Sequence, residues 1–265
     1  MATDEVIRSK TNPLVKRLRD LVRGDRASGV LLIEGVRLTE EALDAGVTIV
    51  EAAVTPQLEK QERGNELFNR LAKNDIPIRR LHPDVLASLS DVETSQGVLV
   101  VARMPAHDAK KIGAGKNALA LVLAGVQNPG NVGSLIRTAE AAGATGAFVG
   151  TGTADPLSPK ALRGAMGSAF RLPLAEAETL GAIADLRRAG VTVWATTVKG
   201  QRYDAVDWRR PSAVVVGNEG TGLDNEILSA CSGRVSVPMV GKVESLNVAV
   251  AAGVILFEAA RQRRG

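Results

Sequence analysis

The sequence predicts an α/β fold in two parts, and three observations carry that expectation. Short β-rich runs alternate with helical stretches along the 265-residue chain, the rhythm of strands joined by crossover helices. One continuous apolar run at 118–124, Ala-Leu-Ala-Leu-Val-Leu-Ala, has the pattern of a strand buried on both faces, as in a parallel sheet. A polar, Gly- and Pro-containing stretch at 103–117 lacks periodicity and reads as a linker. The expected division is 1–105, a linker at 106–116, and 117–265.

In the first part, strands are expected at 30–33, 49–54, 78–81 and 97–101, with helices at 14–23, 37–45 and 58–72. After the run at 118–124, further strands are expected at 146–149, 191–195, 213–216 and 234–237. Helical patterns fall at 132–142, 159–168, 178–189, 224–230 and 245–262. Strands alternating with helices at this spacing call for a parallel sheet covered on both faces.

Composition narrows the chemistry. With 45% hydrophobic and 23% charged residues, the chain can build a core. The apolar stretch at 118–126 is about half of the roughly 18–20 residues that cross a bilayer, and the first residues include acids without an apolar signal core. A cytoplasmic protein without a membrane partner is expected. The single cysteine, Cys231, and the two histidines, His82 and His107, exclude an intramolecular disulfide and a Cys/His zinc site, so no metal is expected. Both histidines sit in polar, loop-like contexts without a nucleophile elbow, which argues against a Ser-His-Asp hydrolase. The net charge of +4 mildly favours a polyanionic partner, while 3% aromatic residues leave few rings for stacking bases.

In open α/β sheets, ligands bind beyond the carboxyl ends of strands, so the residues after each apolar run are the candidates for chemistry. The first cluster, Asn128-Pro129-Gly130-Asn131-Val132-Gly133-Ser134-Leu135-Ile136-Arg137, is a loop entering a helix. Val132, Leu135, Ile136 and Ala139 fix its buried face, so Arg137 projects outside it near the N-terminal end, where a cation opposes the helix dipole. Asn131 reads as a candidate cap. In the second cluster, Val216-Gly217-Asn218-Glu219-Gly220-Thr221-Gly222, three glycines surround one carboxylate, allowing a ligand to approach backbone closely. In the third, Glu244-Ser245-Leu246-Asn247, Ser245 reads as the N-cap of a helix that is apolar nearly all round. That helix belongs in a core or a subunit interface. Asn247 would then be a buried amide, costing about 1–3 kcal/mol if unpaired. Each cluster alone also fits a structural role: a solvated arginine, a glycine turn, a capped helix.

Together, in this order and spacing, the clusters closely resemble the three motifs of the SpoU/TrmH-type RNA 2′-O-ribose methyltransferases of the SPOUT superfamily. The resemblance covers about 118–262, with 158–163 and 170–173 similar to the family's intervening region. The part before it resembles, more loosely, a ribosomal-protein-like substrate-binding domain. The resemblance implies a deep trefoil knot in the C-terminal domain, S-adenosylmethionine in the knotted loops, and a homodimer with active sites near the subunit interface. By motif, Asn131, Arg137, Glu219, Ser245 and Asn247 match the family's functional positions. Gly217, Val237 and Leu246 match positions that contact the cofactor, chiefly through backbone, and Thr196 and Thr197 are further expected contacts.

These residue types fit the implied reaction. A sulfonium methyl is already a strong electrophile, so the enzyme has to align it with the ribose oxygen and help that alcohol lose its proton. A guanidinium stays protonated at neutral pH, so Arg137 is better suited to stabilising the developing alkoxide and clamping a phosphate than to acting as a base. The implied function is methyl transfer to a ribose 2′-hydroxyl in rRNA, favoured over tRNA by the extra N-terminal domain and by the lack of a long basic C-terminal extension. The alternatives are a tRNA ribose, another acceptor such as a tRNA base, or a catalytically silent RNA-binding or ribosome-assembly protein. The full set of five motif residues argues against silence, and Glu244 to Asn247 favours the ribose branch.

Overall fold

A computed structural model describes residues 3–90, 92 and 94–264. Contacts within the chain divide it into two units, 1–106 with 157–162, and 107–156 with 163–265.

The first unit runs β1 (Thr3–Ile7), α1 (Pro13–Val22), β2 (Val30–Glu34), α2 (Val36–Asp44), β3 (Ile49–Val54), α3 (Pro56–Glu59), α4 (Glu62–Lys73), β4 (Ile78–Leu81), α5 (Pro83–Ala87) and β5 (Val98–Arg103). Its five-stranded sheet has the order β1-β4-β3-β5-β2. Strands β1, β4 and β3 are parallel, whereas β5 runs antiparallel to β3 and β2. Helix α1 begins at Pro13, capped by Asn12, whose side chain accepts from Leu14 N. It buries Val15, Leu18 and Leu21 against Leu32, Ala53, Leu99 and Val101. The burial of each such side chain is worth about 1.5–3 kcal/mol. The opposite face carries Lys16, Arg17 and Arg23 into solvent.

Two features depart from the sequence expectation. The helix expected at 58–72 is broken into α3 and α4, and glycine permits the corner: a Cβ on Gly64 would lie 2.1 Å from the Leu58 carbonyl oxygen. Strand β1 and helix α5 were not anticipated, each too short to show a period.

The second unit contains β6 (Leu119–Leu123), α6 (Pro129–Ala141) and β7 (Gly146–Gly150). Helices α7 (Pro159–Ala165), whose residues 159–162 cluster with the first unit, and α8 (Ser168–Arg171) follow, then β8 (Leu174–Ala177), α9 (Thr179–Arg188) and β9 (Thr192–Arg202). The chain continues through β10 (Ser212–Val216), α10 (Asn225–Ala230), β11 (Gly233–Ser236) and α11 (Val248–Arg264). The sheet order is β11-β9-β10-β6-β7-β8, and every pair is parallel. Central strands β6 and β10 are buried at every residue, which explains their unbroken apolar runs. Strand β8, half-buried at the edge, reads Leu-Ala-Glu-Ala and lacks a β-rich signature.

Because all six strands run the same way, their carboxyl ends share one edge of the sheet. At the other end of the domain, the Arg263 guanidinium in the last turn of α11 donates to four carbonyls. These belong to Trp208 (2.7 Å), Asn117 (2.7 Å), Ala118 (3.0 Å) and Arg210 (2.9 Å).

Candidate active site at the carboxyl ends of the strands

Strand β6 ends in a loop that enters α6 through Asn128, whose Oδ1 accepts from Gly130 N (2.8 Å), with Pro129 in the first helical position. Asn128 is therefore the cap, not Asn131 as the sequence suggested. One residue past Gly130, the Asn131 side chain is free to reach outward, and its Nδ2 donates to Glu219 Oε1 (2.9 Å). The same carboxylate accepts from Asn128 N at Oε1 (3.0 Å) and from Gln127 N at Oε2 (3.0 Å). Burial alone would raise the Glu219 pKa. The hydrogen bonds from Asn131 and from the backbone amides of Gln127, Glu219 and Asn128 outweigh it and hold the carboxyl below its ordinary range. Glu219 is thus an ionised acceptor occupied by three donors from the loop and helix opposite.

Asn131 has a second partner. Its Oδ1 accepts from Asn247 Nδ2 (3.0 Å), across 116 positions of sequence. Asn247 Oδ1 in turn accepts from Ala249 N (2.9 Å) and Val250 N (3.4 Å), the first free amides of α11. The three clusters therefore meet in one relay, Glu219 to Asn131 to Asn247 to the start of α11. This corrects two expectations. The helix starts at Val248, not at 245, and its capping side chain is Asn247; Ser245 is exposed and makes no side-chain hydrogen bond among the described residues. Asn247 is exposed rather than buried, because α11 buries only one face, through Ala252, Ile255, Leu256, Ala259 and Ala260. Val250 and Phe257 remain 53% and 46% exposed on another.

Arg137 lies on the exposed face of α6 and makes no hydrogen bond or ion pair among the described residues. It is a cation on the helix that carries Asn131, with its donors uncommitted.

Gly217, at the end of β10, is buried. A Cβ there would stand 2.5 Å from the Gly222 oxygen and 2.8 Å from Leu223 N. The glycine thus makes room for its own loop, which folds back so that Asn218 and Gly222 exchange backbone hydrogen bonds of 3.1 and 2.9 Å.

On β9, Thr196 Oγ1 donates to Val215 O (2.8 Å) and Thr197 Oγ1 to Lys199 O (2.7 Å), so both hydroxyl protons are committed to backbone. The strand is longer than expected because its register jumps. Arg234 pairs with Ala195 but Val235 pairs with Gln201, so the ladder with β11 skips 196–200, where Val198 is 70% exposed. An alternation pattern cannot reveal such a skip.

Val237 is half-buried at the end of β11 and Leu246 is 37% exposed. Between them, residues 239–246 make no backbone hydrogen bond among the described residues, and Met239, Val240 and Val243 are also exposed. Uncommitted amides and carbonyls beside an apolar surface are suited to a ligand with a heterocycle and a polar tail. A separate cleft of about 380 Å³ is lined by Gln127, Thr151, Glu178, Asn218, Thr221 and Glu226, among others. It borders the 218–222 loop but contains none of Thr196, Thr197, Gly217, Val237 or Leu246.

Comparison with known proteins shows the family of the chain. Residues 118–257 match the SpoU rRNA Methylase family, and residues 12–100 match an MRM3-like substrate binding domain. The chain is 33% identical to the 23S rRNA (guanosine(2553)-2′-O)-methyltransferase RlmP of Bacillus subtilis, over 95% of this chain and 97% of that protein. It is 34% identical to a 23S rRNA (uridine(2479)-2′-O)-methyltransferase of Streptomyces viridochromogenes, over 89% of this chain and 84% of that protein. The solved SpoU methyltransferase AviRb from Streptomyces viridochromogenes, in complex with the cofactor AdoMet, superposes with a TM-score of 0.85 at 32% identity, covering 96% of this chain and 99% of that one. With the family matched over more than half its length and the fold shared from end to end, this chain belongs to the SpoU rRNA methylase family.

Proposed function

We propose that the protein transfers a methyl group from S-adenosylmethionine to a ribose 2′-hydroxyl of rRNA. The observation that carries this reading is the relay from Glu219 through Asn131 to Asn247, which joins three segments distant in sequence through the helix whose exposed face also carries the uncommitted Arg137. The names of the relatives, two of them 23S rRNA 2′-O-methyltransferases, support the substrate class.

The segment at 237–246 has the chemistry to hold S-adenosylmethionine: uncommitted backbone amides for the carboxylate and the adenine edge, with Met239, Val243 and Leu246 for apolar contact. Gly217, Thr196 and Thr197 border the same segment in this reading, contributing backbone rather than hydroxyl donors. When bound, the cofactor supplies an electrophilic methyl group. The remaining work falls to the chain. Glu219, with three donors in place, fixes the loop before α6 and orients Asn131; it is not the base. A guanidinium cannot take the hydroxyl proton at neutral pH, so Arg137 stabilises the oxyanion and holds the neighbouring phosphate, and the proton passes to that phosphate or to water. Ser245, exposed beside Asn247, is available to the acceptor nucleotide.

The same proposal assigns RNA affinity and choice to 1–105, and cofactor binding, catalysis and dimerisation to 117–265, joined by the linker at 106–116. A homodimer is supported by the exposed apolar residues Val250 and Phe257, seven positions apart on one side of α11. The trefoil threading implied by the family resemblance, and a cytoplasmic location with rRNA, belong to this reading as well. No helix among the described residues is long and apolar enough to cross a membrane.

The test is a map of ribose methylation across total RNA from cells with and without the gene, followed by methylation of the unmodified RNA by purified protein and cofactor. Loss of one rRNA 2′-O-methyl group, restored in vitro, is expected. Loss confined to tRNA, or no loss at all, would overturn the assignment.

A further inference from the structure

The structure assigns Asn218 the role of a positioning residue: it ties three strand-end loops together so that the Glu219 carboxylate is presented to the start of α6. Its side chain uses donor and acceptor at once. Oδ1 accepts from Gly220 N (2.8 Å) and Thr221 N (3.0 Å), shaping the loop from within. Nδ2 crosses to the loop after β6 and donates to Gly125 O (3.2 Å). Gly125 N donates to Thr153 Oγ1 (3.0 Å), which donates to Leu123 O (3.0 Å), so the loop after β7 joins the same lattice. The next residue along from Asn218 is Glu219, whose carboxylate meets the amides of Gln127 and Asn128 only two and three residues beyond Gly125.

The loops after β10 and β6 are therefore pinned at two adjacent points. One pin is the carboxylate itself, and the other is the Asn218 amide, which sets the spacing at which that carboxylate works. Asn218 touches neither Asn131 nor Arg137, so its effect has to pass through Glu219. An aspartate at this position would keep the two acceptor bonds that shape the loop. It would lose the bond to Gly125 and set an anionic oxygen against that carbonyl. The two jobs of Asn218 can thus be separated by one substitution.

The inference rests on the methyltransferase reading for its kinetic consequences, but its geometric core can be tested without activity. In full-length protein, carboxyl carbon-13 NMR follows the titration of Glu219 in wild type and in Asn218→Ala. The expected result is a rise of the Glu219 midpoint toward the ordinary glutamate value in the variant, as the amides of Gln127 and Asn128 drift from the carboxylate. An unchanged midpoint would overturn the proposal, whether or not the protein methylates RNA. If methyl transfer is measured, Asn218→Asp should stay folded at the assay temperature, with a lowered melting temperature, while kcat falls on the order of tenfold, the change expected for the loss of one or two hydrogen bonds in a preorganised site. Asn218→Ala and Glu219→Gln should be strongly non-additive, with the double variant no slower than the slower single one. Multiplying effects, or an Asn218→Asp enzyme with normal kcat, would show that Asn218 does not act through Glu219. A wild type inactive on every RNA would refute the function while leaving the NMR result to decide the geometry.

Discussion

Arg137 and Glu219 carry opposite charges and differ in how far the fold has committed them. Three donors occupy Glu219, whereas Arg137 has no partner among the described residues. Removing the uncommitted group should therefore affect chemistry far more than stability. Arg137→Ala is expected to lower single-turnover methyl transfer about 100- to 1,000-fold, as for loss of one preorganised charge stabiliser, with the melting temperature and cofactor affinity nearly unchanged. A tritiated-cofactor assay beside calorimetry would check both halves of this expectation. Gly217 is the reverse case. The sequence suggested that a side chain there would obstruct a ligand, yet its Cβ would first strike the Gly222 carbonyl within the loop itself. Gly217→Val should thus disturb the 217–223 loop before any ligand arrives, and a fall in melting temperature should accompany any loss of cofactor binding.

Strand β6 was legible as an element because burial on both faces removes every polar residue from it, and helix α6 because its apolar period fixes one face. The ends of elements were less so. A serine three residues ahead of an apolar run looks like a cap, but the side chain at Asn247 lies one residue from the helix and captures its free amides first. For the same reason the Asn131–Asn247 bond was not legible, since nothing local to either residue encodes a partner 116 positions away. The cap makes a measurable contribution. Asn247→Ala should cost about 1 kcal/mol of stability, typical of a lost N-cap, and should also slow methyl transfer, because Asn131 loses its second anchor. Asn247→Ser, which keeps a capping oxygen but not the reach to Asn131, should recover the stability and not the rate.

Helix α1 needs a similar refinement. Of its basic residues, Arg17 forms an ion pair with Glu51 and Arg19 donates weakly to Lys10 O (3.4 Å). Lys16 and Arg23 are the exposed cations of this helix without a partner among the described residues. Replacing both with alanine should weaken binding across RNA sequences and flatten its salt dependence, because fewer counterions are released. Filter binding over a salt series tests this, with cofactor affinity expected to stay constant.

At the scale of the molecule, the carboxylates set the acid limit of the fold. Glu140 on α6 is held below its ordinary pKa, chiefly by the Arg171 guanidinium, which donates to it at 2.7 and 3.1 Å, and Glu219 is lowered as described. A carboxyl with a depressed folded pKa adds stability that is complete above its unfolded value, near 4.3, and lost as pH falls through the folded value. The melting temperature should therefore hold steady down to about pH 5 and then decline. Arg171→Ala should lower the neutral plateau and make the acid decline shallower, a comparison that melts at a series of pH values can make.

Arg263 gives the domain a history as well as a shape. Its guanidinium joins the entry of the central strand, at Asn117 and Ala118, to the last turn of the final helix, 146 residues later. A ribosome adding roughly 5–20 residues per second needs roughly 7–30 s to make that interval. Throughout it, the carbonyls at the head of the sheet wait for a partner that has not been synthesised, so the methylase domain should close late and in one step rather than strand by strand. Chains released after residue 262 should be cut by protease within the second unit, and released chains that include Arg263 should resist.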